Sequence, residues 1–151
     1  MNKKSNKQLA KEIINREIAA LRRTTKLLDS KFERACEAIL SNKGKVITLG
    51  VGKSSFIAMK MAATLSSTGT AALFLHPLDA LHGDVGVIKK NDVVIIYSNS
   101  GETQEVIKLL PLLKLLKCCI ISITGNLSST LARYSKISLD ASVTREACPH
   151  N

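Results

Sequence analysis

Residues 92–105 read D-V-V-I-I-Y-S-N-S-G-E-T-Q-E, and the last eight of them carry three hydroxyls and two carboxylates. An apolar, β-branched run at 93–96 that empties into Ser98-Asn99-Ser100-Gly101 and then into a helical pattern predicts a buried parallel strand, a tight turn and a helix start. A helix start is a place to hold an anion. Its first N–H groups have no intrahelical partner and carry the positive end of the dipole, so the hydroxyls of Ser98, Ser100 and Thr103 would join them around a phosphate. Carboxylates beside a phosphate do not add affinity, because like charges repel. Glu102 or Glu105 is therefore a candidate for moving a proton on the ligand.

A second stretch has the same outline. After the apolar run K-V-I-T-L come Gly50, Val51, Gly52, Lys53, Ser54 and Ser55, and then a helical pattern to about residue 68. The order strand, glycine turn, helix is that of a phosphate loop, yet both nucleotide fingerprints are missed: a Walker A loop needs Gly where Ile47 stands, and a dinucleotide loop needs a third Gly where Ser55 stands. Gly50 and Gly52 alone would be explained by turn geometry. Lys53 adds an ammonium group where a helix start would already gather a phosphate. His76 and His82 follow the next predicted strand, at 71–75. A lone histidine is more often structural, but the carboxyl end of a strand is where open α/β sheets bind ligands.

The elements that must position these residues follow from periodicity. Apolar spacing of three and four predicts helices over 6–28 and 31–41, with Asn42, Lys43 and Gly44 breaking the pattern. Strands are expected at 45–49, 71–75, 92–97, 118–124 and 137–139. Helices are expected after the first and third strands, with a short piece near His82 and another at 128–134. Pro111 should kink or break the helix that runs from 103 to 116. Five strands alternating with helices give an α/β fold: a five-stranded parallel sheet in a three-layer α/β/α sandwich. The expected organisation is a pair of N-terminal helices, 1–42, packed on a domain of residues 43–151.

Composition narrows the class. With 151 residues, 45% hydrophobic, 23% charged and no Trp, the chain fits one soluble domain whose core is aliphatic. It has neither a leader-like apolar segment nor a run long enough to span a bilayer, which predicts a cytoplasmic protein. Cys36, Cys118, Cys119 and Cys148 lack metal or redox spacing and read as small hydrophobes in a reducing compartment. The net charge is +10, but residues 1–45 hold 12 Lys or Arg against 5 Asp or Glu, so +7 of it belongs to the N-terminal helices. Without interleaved aromatics this is a solvated basic face rather than a nucleic-acid surface, and it favours anionic ligands.

Taken together, G-V-G-K-S, the H-P and H-G-D pair, S-N-S-G-E-T-Q-E, I-T-G and R-E-A-C-P resemble the sugar isomerase (SIS) domain, in particular the arabinose-5-phosphate isomerase family. The resemblance covers 43–149. It implies a five-stranded parallel sheet and an aldose–ketose isomerase that converts D-ribulose 5-phosphate to D-arabinose 5-phosphate for Kdo and lipopolysaccharide synthesis. It further implies that Lys53, Glu105 and Glu146 are catalytic, and that His76 and His82 contact the ligand. Other substrate-contacting positions would be Gly52, Ser54, Gly69, Thr70, a stretch of 108–117, and Ser142, Val143 and Thr144, beside the 98–103 turn. No cofactor is required; His76 is a possible site for an inhibitory zinc ion. The implied partners are a pentose 5-phosphate and further copies of the chain, as a homo-oligomer in which neighbouring subunits help build each site.

Members of the family continue past E-A-C-P into a Thr/Ser-rich segment, a long apolar helix with a catalytic histidine, and two CBS modules. His150 is not that histidine, because it falls inside the earlier motif. The expectation is therefore a shortened isomerase domain with an incomplete active site and an apolar patch left open. A non-catalytic sugar-phosphate-binding module or remnant, and another SIS-family ketose-phosphate isomerase, are the alternatives the same residues allow.

Overall fold

The computed structural model of the chain describes residues 4–146. Helix α1 (Asn6–Leu27) opens with a reciprocal cap between Ser5 and Gln8, and α2 (Ser30–Leu40) is capped by Asp29. The remainder alternates: β1 (Val46–Gly50), α3 (Lys53–Ser67), β2 (Ala72–Phe74), α4 (Pro77–Leu81), a 3-10 turn (Asp84–Val87), β3 (Val93–Tyr97), α5 (Gln104–Leu116), β4 (Cys119–Thr124), α6 (Thr130–Tyr134) and β5 (Ile137–Asp140). All neighbouring strands pair in parallel, in the order β2-β1-β3-β4-β5.

Side chains alternate across the strands, and each face is covered. On one face Ile47, Leu49, Val94, Ile96 and Ile120 pack with Val106, Leu109, Leu110 and Leu113 of α5. On the other, Val46, Val93, Ile95, Ile121 and Ile137 pack with Ala35 of α2 and with Met61 and Leu65. The few polar side chains in these layers are bonded. Ser122 meets Ser138 at 2.9 Å, and Ser138 Oγ donates to the Ala132 carbonyl of α6. Asp92, 2% exposed, accepts from the Lys45 ammonium at 2.8 Å and from the Lys45 and Lys89 amides, which fastens the amino ends of β1 and β3 together.

The structure departs from the periodicity reading at two places. Helix α5 runs from Gln104 to Leu116 with Pro111 inside it, so the proline marks no break. Proline removes one N–H, but Leu109, Leu110 and Leu113, fully buried around it, hold the helix to the sheet while Pro111 itself faces outward. Helix α1 buries none of its residues, in contrast to α2. Arg23 ties it to the end of the sheet, donating to the carbonyl and hydroxyl of Ser142. Cys118 and Cys119 are half-buried, and burial raises both thiols, Cys118 to about 11, so they stay protonated as small hydrophobes do. Cys148 lies outside the described residues. Among the described residues no helix is long and apolar enough to cross a membrane.

Candidate active site

In a sheet ordered 2-1-3-4-5 the chain leaves β1 in one direction to reach β2 and lies on the other side from β3 onward. The loops after β1 and β3 therefore diverge, and the crevice between them is where such sheets take ligands. The pairing of Gly50 with Tyr97 sets these two loops side by side. Lys53 opens the helix after one, and Glu105 lies in the first turn of the helix after the other. The sequence singled out both for chemistry, together with Glu146.

The loop after β1 turns at Gly52, with φ 58 and ψ −127. A Cβ there would meet nothing within 4 Å, so the torsion and not the space demands glycine. Ser55 then closes the first turn of α3, its hydroxyl and amide both donating to the Gly52 carbonyl. Thr48, buried in β1, donates to the Ala58 carbonyl at 2.8 Å and fixes the helix against its strand. Lys53 is exposed and Ser54 half-buried above this turn.

The loop after β3 is bonded to itself. Ser98, 3% exposed, shares a 2.8 Å hydrogen bond with Thr103 and accepts from the Gly101 amide, while the Ser100 hydroxyl accepts from the Glu102 amide. The Asn99 carbonyl accepts from Gly125 and Thr124 of the β4 end. Of the three hydroxyls expected around a phosphate, Ser98 and Thr103 are thus spent on holding the loop's shape. What stands open is Asn99 and Ser100 and the start of α5.

Helix caps carry the electrostatics. Helices α1, α2, α4 and α6 each have a side chain bonded to an N-terminal amide: Ser5, Asp29, His76 and Ser129. Helices α3 and α5 have none. Two helix starts with uncapped amides, each equivalent to about half a positive charge, flank the crevice together with the Lys53 ammonium.

The two neighbouring carboxylates separate in role. Glu102 accepts from the Thr130 amide at 2.6 Å, and that bond, with the Thr130 hydroxyl and then Arg133, holds its carboxyl below the ordinary value. It serves the start of α6. Glu105 is half-buried, and neither it nor Lys53 has a hydrogen-bond or ion-pair partner among the described residues. Glu105 is accordingly the carboxylate available for proton transfer.

The other candidates are spread more widely. His76, half-buried, accepts the Leu78 amide on Nδ1 and stands edge-on to Phe74, and its Nε2 has no hydrogen-bond partner among the described residues. His82 is exposed at the far end of α4. Among the described residues no three His, Cys, Asp or Glu side chains gather, so His76 offers one nitrogen where zinc takes three or four ligands. Ser142 follows β5 and is held by the Asp140 carboxylate and by Arg23; Val143, Thr144 and Glu146 beyond it are exposed. Glu146 follows β5, which β4 separates from β3 in the sheet order. Ala147, Cys148, Pro149 and His150 lie outside the described residues.

Two expected contact segments point to the opposite edge. Gly69 and Thr70 precede β2, beside the amino end of β1, where Val46 donates to the Ala71 carbonyl. Helix α5 starts at the crevice and ends at Lys117, so most of 108–117 recedes from it. A linear motif does not reveal which edge of the sheet its residues reach. The sequence reading also missed Thr48, whose signal was a lone polar residue in an apolar strand, and Arg23, for which the sequence gives no sign.

Comparison with known proteins agrees with this architecture. The SIS domain model matches residues 39–150. The chain is 53% identical over 120 residues to arabinose 5-phosphate isomerase KdsD of Pseudomonas aeruginosa, covering 80% of this chain and 37% of that protein. It is 50% identical over 145 residues to KdsD of Francisella tularensis, covering 94% and 44%. The chain thus spans less than half the length of these curated relatives. The structure of an Escherichia coli CFT073 protein in complex with arabinose 5-phosphate superposes with a TM-score of 0.91 at 40% identity, covering 99% of this chain and 80% of that one. On motif, topology and similarity over most of its length, the chain belongs to the SIS domain family.

Proposed function

We propose that the chain is an aldose–ketose isomerase domain acting on pentose 5-phosphates, interconverting D-ribulose 5-phosphate and D-arabinose 5-phosphate. The observation that carries this reading is the pair of adjoining, uncapped helix starts bearing Lys53 and Glu105 at the switch point of the sheet. It is supported by the names of the curated relatives and by the arabinose 5-phosphate complex of the E. coli protein.

The reaction needs no oxidant from outside: C1 of the ketose is oxidised as C2 is reduced within one molecule. A base removes a proton from C1, the electrons pass into an enediolate, and a proton returns to C2 while the oxygens exchange theirs. Glu105 is assigned the carbon-bound proton. Lys53, with the α3 amides, would steady the enediolate or the phosphate, where positive charge is worth most as negative charge accumulates. Glu146 is assigned the oxygens.

A homo-oligomer is part of the proposal. Gly69 and Thr70 contact a substrate at the carboxyl edge only if another copy brings them there. Leu9, Ile13, Ile14, Ile18 and Leu21 of α1 are exposed and available for such a contact. Incubating the purified chain with D-ribulose 5-phosphate and separating the products tests the reading. Formation of arabinose 5-phosphate is expected; tight binding of arabinose 5-phosphate without turnover would replace the enzyme with a sugar-phosphate-binding module.

A further inference from the structure

The amino edge of the sheet, remote from the crevice by the length of the strands, about 15 Å, holds an open cavity of about 620 Å³. Lys43 from the α2–β1 turn, Lys90 from the loop before β3, Lys117 from the end of α5 and Lys136 from the turn before β5 all line it. Four separate connections thus bring four lysines to one hollow. Among the described residues none of the four pairs with a carboxylate. The carboxylate in the wall, Asp92, is already saturated by Lys45 and the Lys89 amide. The neighbouring Cys118 thiol, pushed up to about 11 by burial, stays neutral. The carboxyl ends of α2 and α5, capped at Ser41 and Lys117 on the wall, offset part of this charge, and the excess raises the local concentration of anions.

Lys117 gives an independent sign. It caps α5 with φ 55 and ψ 28, the left-handed conformation in which glycine or asparagine is the usual occupant. A lysine there carries a backbone cost that its side chain's packing does not offset, since the residue is exposed. The cavity volume is in the range of small-molecule sites, and no aromatic side chain is among the described residues that line it. Its means of recognition is charge, not stacking on a base.

We propose that this cavity is a second ligand site, separate from the crevice at the carboxyl edge, and that it takes a compact anion bearing two or more phosphate groups. Four ammonium groups exceed what a monophosphate of charge near −2 neutralises, and a diphosphate spans several of them at once.

Titration calorimetry with inorganic pyrophosphate and with orthophosphate, at 0.15 M salt, tests this on the full chain. Pyrophosphate is expected to bind at least fivefold more tightly than orthophosphate. The Lys90→Gln/Lys136→Gln pair should weaken it about tenfold, and Lys60→Gln, exposed on α3 and outside the lining, should leave it unchanged. Lys117→Gly relieves the backbone while removing one charge, so it should fold at least as well yet bind about threefold more weakly; it keeps the test open if the double variant misfolds. No binding at 10 mM pyrophosphate, equal loss on Lys60→Gln, or unaltered affinity in Lys117→Gly would overturn the site. A short RNA duplex that outcompetes pyrophosphate would overturn it in favour of a nucleic-acid surface.

Discussion

Glu105 and Glu102 stand three residues apart, and their surroundings divide the labour between them. Glu102 spends its charge on the first amide of α6, whereas Glu105 lies beside the crevice with no partner among the described residues. Glu105→Gln keeps shape and helix but cannot take a proton; kcat should fall about 10²–10⁴-fold while KM moves little, read from steady-state kinetics. Glu102→Gln should instead act on stability. The Glu102 carboxyl is held below its ordinary value in the folded state, so its contribution is present above pH about 4.5 and is lost as pH falls through the folded value. Chemical denaturation should therefore show the variant less stable than the parent at pH 7 and the gap closing in acid. A gap that persisted unchanged at pH 3 would mean that the charge is not what ties the loop to α6. Asp92 obeys the same sign. Burial works to raise its carboxyl, but the bonds from Lys45 and Lys89 outweigh this and hold it low. Asp92→Asn should cost about 2–4 kcal/mol at neutral pH, again shrinking in acid.

The elements show which parts of the molecule were legible in the sequence. Strands such as 93–96 and 119–123 announce themselves because parallel strands covered on both faces need unbroken apolar runs, and glycine marks their exits. Pro111 misleads because its local penalty is set against a whole buried helix face. Loop interiors are hidden for a different reason: whether a hydroxyl meets a ligand or a neighbouring hydroxyl depends on torsions, as Ser98 and Thr103 illustrate. Two glycines permit a graded test of how those loops are built. Gly52 has φ 58 with ψ −127 and open space around it, so Gly52→Ala should cost about 1–3 kcal/mol from the torsion alone. Gly101 has φ 66 and lies against Ser129, the cap of α6, so an added methyl must displace that helix as well. Gly101→Ala should cost about 2–4 kcal/mol by thermal or denaturant unfolding, and the ranking of the two variants is the informative result.

For the whole molecule the question is what covers α1. A 22-residue helix that buries none of its residues and leaves Leu9, Ile13, Ile14, Ile18 and Leu21 exposed gains little from propensity alone, because the tertiary packing that stabilises most helices is missing. Its charge is also high, with Lys7, Lys11, Arg16, Arg22, Arg23 and Lys26 against Glu12 and Glu17, so two such helices would meet through their apolar sides with the basic residues outward. If copies that share a site join in this way, assembly and turnover become linked. Ile14→Glu with Ile18→Glu places like charges in the contact and touches no residue of the crevice. Light scattering should show the assembly falling to single chains, and turnover at low protein concentration should fall with it while far-ultraviolet circular dichroism retains the signature of the sheet. A parent chain that sediments as a monomer and isomerises at a rate independent of its concentration would exclude the shared site and leave Lys53 and Glu105 to act within one copy.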